Sequence, residues 1–116
     1  MYKTIVKEIG QDAKAFEEEK MVILFGDNAP DELVDYCYII DINAVEGTIT
    51  EKQKLYIDHH VFDITKVGSA VQDNLSNLGH ITLKFDGSNT ADQSGTLYLE
   101  NADIPEMTKG TELKIQ

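Results

Sequence analysis

The chain is a succession of short strand-like runs, each ended within a few residues by glycine, proline, asparagine or aspartate. That punctuation constrains the fold more than any other feature. Residues 3–8 carry the branched Thr4, Ile5 and Val6 and stop at Gly10. Residues 21–25 are continuously apolar and end at Gly26-Asp27-Asn28. Residues 36–42 form the longest apolar run, and 48–50, 55–60 and 61–67 add shorter strands. From His80 to Phe85 polar and apolar residues alternate, which describes a half-buried strand, and Asp86-Gly87 supplies a turn. Residues 95–100 and 111–115 complete the set, with polar loops at 86–94 and 101–110. Helical signals are few. Residues 12–20 are rich in helix formers, Pro30 opens a single acidic turn, and Val71, Leu75 and Leu78 recur at helical spacing. That last helix has Ser69 at the N-cap and Gly79 just past its end. Many short strands with one or two short helices predict a mainly all-β domain over 1–116, a small barrel or sandwich.

At 116 residues the chain suffices for one modest core. Its formal charge is −11, and all ten basic residues are lysines. Such acidity repels nucleic acid and anionic membrane, so neither is expected as a partner. It either favours docking on a basic protein surface or serves only solubility. The lone Cys37 sits in an apolar run and reads as a small core residue. No secretory leader and no apolar run of about eighteen residues is present, so a cytoplasmic protein is expected.

Reactive chemistry narrows to His59, His60 and His80. A histidine that carries a phosphoryl group must be neutral, with one ring nitrogen held by an acceptor and donors placed for the phosphoryl oxygens. His80 follows Gly79 at a helix-to-strand junction, with Thr82 and Lys84 on the same strand face. That row offers imidazole, hydroxyl and ammonium, although any polar strand face can show it. His59 and His60 are expected on opposite faces of one strand, with Asp58 beside His60 as its possible orienting group. Asp41, Asp58, His59, His60 and Asp63 have no diagnostic metal-ligand spacing, and no metal is expected. The Asp58-His59-His60 string of a phosphoesterase superfamily is read as coincidence, because its companion motifs are absent. There is no phosphate-binding glycine loop, nucleophile elbow or dinucleotide fingerprint.

The segment 67–87, VGSAVQDNLSNLGHITLKFDG, closely resembles the glucitol/sorbitol-specific IIA component of the bacterial phosphoenolpyruvate-dependent sugar phosphotransferase system. Members carry V-G-S, then D-N-L, then L-G-H-[VI]-T-L-[RK]-F-D-G. Residues 60–69 match a second segment, H-x-[YF]-x-V-T-x-V-G-S, and the likeness extends from Ile9 through Lys114. The resemblance implies a mostly antiparallel β-barrel. It also implies a phosphoryl carrier that accepts phosphate from the histidine-containing protein HPr. The group then passes to the IIB part of a IIB/IIC permease during hexitol uptake, with docking at the membrane but no insertion. It implies no metal or organic cofactor.

One position departs from the pattern. In the family the phosphorylated histidine ends a strand resembling Y-C-[FV]-I-H, and here residues 31–40 align with Ile40 at that place. A one-residue slip offers Ile39 or Asp41 instead. Three readings stay open. His80 or His60 is the acceptor, supported by Thr82, Lys84 and Asp58; or the protein is a non-catalytic binding or regulatory module; or the site is lost while the fold persists.

Overall fold

Alternating burial along the strands is what curves the sheet around a single interior. In the computed structural model, which describes residues 1–116, the strands are β1 (Tyr2–Ile9), β2 (Met21–Phe25), β3 (Cys37–Ile40), β4 (Lys54–Ile57), β5 (His60–Val67), β6 (Ile81–Lys84), β7 (Thr96–Leu99) and β8 (Glu112–Ile115). They close in the order β1-β3-β2-β6-β7-β5-β4-β8. Only β2/β3 and β6/β7 are parallel, so the mostly antiparallel barrel expected from the sequence is the one observed. Helix α1 (Asp31–Val34) lies in the β2–β3 crossover, and α2 (Val71–Leu78) links β5 to β6.

Inward positions follow the period of two. Tyr2, Thr4 and Val6 of β1 are buried while Lys3, Ile5 and Lys7 are exposed. Ile81 and Leu83 of β6 join Leu97, Leu99, Leu113 and Ile115 in one core. Helix α2 turns Val71 and Leu75 into the same core, as its spacing predicts. Cys37 is buried with Phe25 and Ile39 in a smaller cluster against Val34, and burial pushes its thiol pKa up.

Four local expectations are corrected. Residues 12–20 form turns ending in one 3₁₀ turn, Glu17–Glu19, rather than an α-helix. The backbone bonds there span three residues, as in Ala13 N–H to Gly10 and Ala15 N–H to Asp12, while Asp12 N–H is taken by the Asp35 carbonyl. Tertiary anchoring overrides the helix propensity of the segment. Residues 48–50 join no strand; Gln72 and Gln53 side chains accept the Ile49 and Thr50 N–H groups instead. Ser69 caps nothing: Ala70 is the N-cap of α2 and has no side-chain cap bond.

The fourth correction concerns the adjacent histidines. They do not project from opposite faces of one strand, because β4 ends at Ile57 and β5 begins at His60. Asp58, with a φ of 51°, turns the chain between them. His59 and His60 consequently stack, with ring centroids 4.5 Å apart.

Candidate functional site

The His80 site starts from a helix end. Gly79 caps α2 with a φ of 65°, a conformation that disfavours a Cβ. A Cβ there would also lie 3.0 Å from the Gly26 backbone nitrogen. The tight turn delivers His80 to the edge of β2, where its Nδ1 lies 3.0 Å from the Leu24 carbonyl oxygen. A carbonyl can only accept, so Nδ1 carries a proton, and in the neutral ring Nε2 keeps its lone pair. The next residue, Phe25, stacks on the imidazole at 4.0 Å and 18°. Two consecutive residues of β2 thus fix the tautomer and the plane of the ring.

Gly68 shapes the other side of this region. A Cβ on it would lie 2.3 Å from the Ser94 carbonyl, whose oxygen accepts the Ala70 N–H. Glycine is required there because the 93–95 loop passes directly against the start of α2.

An open groove of about 470 Å³ runs over the outer faces of β2, β6 and β7 and is lined by His80, Thr82 and Lys84. Thr82 stands directly across from Ile23 on one side and Thr96 on the other. Asn74 of α2 and Gln93 and Gly95 of the preceding loop close the groove. Lys84 Nζ lies 3.7 Å from Asp86 at the rim. The row of His80, Thr82 and Lys84 therefore shares one concave surface. Sequence reasoning missed the Leu24 carbonyl, Phe25, Asn74 and Thr96. The first two come from a strand 55 to 56 positions away in sequence, as the Leu24–His80 separation of 56 indicates. The repeated strand threonines were the only available signal for Thr96.

The remaining candidates lie elsewhere. β6 and β7 run parallel while β5 runs antiparallel to β7. His80 precedes β6, whereas His60 opens β5, so they occupy opposite ends of the barrel wall. His60 is exposed. Asp58 does not orient it, because Asp58 Oδ1 accepts the Glu112 N–H at 2.9 Å. Asp41 pairs with Lys7 at 3.3 Å. No three histidine, cysteine or acidic side chains converge as a metal-ligand group.

The sequence profile described as "PTS system glucitol/sorbitol-specific IIA component" matches residues 1–114. The chain belongs to this family. Two curated relatives, each named "PTS system glucitol/sorbitol-specific EIIA component", come from Shigella flexneri and Escherichia coli (strain K12). Each is 33% identical over 116 residues, which span all of this chain and 94% of the relative. Among solved structures, the PTS system IIA component from Enterococcus faecalis V583 superposes with a TM-score of 0.85 at 32% identity. The match covers 97% of this chain and 98% of that one. Ile40 occupies the place at which an acceptor histidine is expected from the sequence. That side chain is 0% exposed and belongs to the main core. Its Cγ1 packs beneath the Gly79 turn, 3.4 Å from where a Cβ on that glycine would lie. No helix is long and apolar enough to cross a membrane.

Proposed function

We propose that this IIA component carries a phosphoryl group on His80, taking it from HPr and passing it to a IIB component during hexitol uptake. The observation that carries the reading is an imidazole anchored through Nδ1 whose ring lines a groove. Nδ1–H is donated to the Leu24 carbonyl, and Nε2 belongs to a ring that lines an open groove with Thr82 and Lys84. In the transfer, the Nε2 lone pair attacks phosphorus as the donor phosphohistidine's P–N bond breaks, and that electron pair returns to the donor imidazole. His80 keeps its Nδ1 proton, and the positive charge developing on its ring is stabilised by the Leu24 carbonyl. Lys84 supplies charge for the phosphoryl oxygens, and positioning does most of the catalysis.

Incubation with enzyme I, HPr and labelled phosphoenolpyruvate tests this. Acid-labile label is expected on the wild-type chain and on His60→Ala, and none on His80→Ala. Label lost in His60→Ala but kept in His80→Ala overturns the assignment.

The buried Ile40 favours a second reading, a IIA-type docking module that binds partners without transfer. A wild-type chain that binds HPr yet takes up no label supports that module and excludes the carrier.

A further inference from the structure

We propose that the groove is a phosphoryl-oxygen cradle in which the Asn74 carboxamide and the Thr96 hydroxyl, together with Thr82, donate to a phosphoryl group on His80 Nε2. This inference rests on the reading of His80 as acceptor and adds two catalytic residues to it.

The three side chains line the groove with His80, and none of their polar atoms takes part in any side-chain hydrogen bond of the protein. Thr96 is the most informative. It is only 5% exposed, a degree of burial at which a hydroxyl is normally bonded. The one fully enclosed side-chain polar atom without a partner is the Tyr2 hydroxyl, so the Thr96 hydroxyl opens to solvent through the groove that it lines. Thr82 and Thr96 are direct partners in the parallel β6/β7 pair, which sets both hydroxyls on one face. The Asn74 backbone carbonyl accepts the His80 N–H at 3.2 Å. That main-chain bond places the two residues together at one helix end. The carboxamide also borders Gly95. Its Nδ2 would be the nearest contact, at 3.8 Å, of a Cβ placed on Gly95.

The chemistry of the lining selects an anion. In a chain with 21 acidic residues, no carboxylate lines this groove, and its cation is Lys84, which pairs with Asp86 at the rim. Neutral donors also suit a carrier. They stabilise oxygens that gain charge or move during transfer, without the strong ground-state grip that a cluster of cations would exert on a group that must leave again.

Two measurements test the cradle. The first titrates inorganic phosphate into the full chain while following backbone amide resonances. Saturable shifts are expected at Gly95 and Thr96 in the wild type and not in Asn74→Ala or Thr96→Val. Absence of such shifts in the wild type overturns the cradle. This arm needs no transfer, so it decides the cradle even when labelling shows the acceptor to be a residue other than His80. The second measures transfer from phosphorylated HPr. Asn74→Ala and Thr96→Val are each expected to slow transfer by roughly 10²-fold, the usual effect of one lost donor. Thr96→Ser should stay near wild type, and HPr affinity should not change in any variant. Wild-type rates in both Asn74→Ala and Thr96→Val, with the label on His80, overturn the proposal.

Discussion

At the residue scale, Tyr2 shows how the barrel treats an unpaired polar group. Its ring faces the core at 5% exposure, and its hydroxyl finds no partner. Burial, opposed by the neighbouring Thr4 hydroxyl and helped by the Asp41 carboxylate, pushes the phenol up to about 12 from the ordinary 10.0. Above pH 10 the unfolded chain therefore releases a proton that the folded chain retains. Stability is full below that pH and falls as the pH rises towards 12, by about 2–3 kcal/mol for a two-unit difference. Urea unfolding at pH 8, 10 and 11.5 should show this loss in the wild type and a clearly smaller one in Tyr2→Phe. At pH 8 the same substitution should be neutral or mildly stabilising, because the hydroxyl it removes makes no bond. A Tyr2→Phe protein with an undiminished alkaline loss would mean that Tyr38 dominates, since burial raises its pKa as well.

The elements show where local sequence signals suffice. Strands β1 and β6 follow their alternation because one face meets the core. α2 forms because Val71 and Leu75 have a barrel end to cover. Its termination depends on Gly79, at φ 65° and in close approach to Gly26. Gly79→Ala should cost about 1–2 kcal/mol from the left-handed conformation alone, read as a lower urea midpoint. Gly79→Asn should cost less, since asparagine tolerates that conformation better; equal costs would assign the effect to the contact with Gly26 instead. Propensity misled at residues 12–20, where the Asp35 carbonyl captures the Asp12 N–H. The β4–β5 hairpin turns earlier than the break after His60 that the sequence suggests. Its turn runs through Asp58 at positive φ, a conformation aspartate accepts but does not advertise.

Charge belongs to the scale of the whole molecule. A net −11 with exposed ion pairs such as Lys3–Glu112 and Lys109–Glu8 adds little to stability, because such pairs are screened. Its effect should fall on encounter. If the partner faces are basic, phosphoryl transfer from HPr at limiting concentration should slow several-fold between low salt and about 0.5 M, with little change at saturation. A salt-independent second-order rate would restrict the acidity to solubility.

The sequence by itself determined the family, the alternating strands and the row of His80, Thr82 and Lys84. These are local properties: a period of two, a turn glycine, and a motif of contiguous residues. Only the tertiary structure decided what surrounds that row. The Leu24 carbonyl, the Phe25 ring and Thr96 reach it because β6 lies between β2 and β7 in the closed sheet, an adjacency that no spacing along the chain encodes. The same closure separates His60 from His80 and buries Ile40 beneath the Gly79 turn. A residue's chemical type is written in the sequence, whereas its access to solvent and its hydrogen-bond partners are set by which strands the barrel brings side by side.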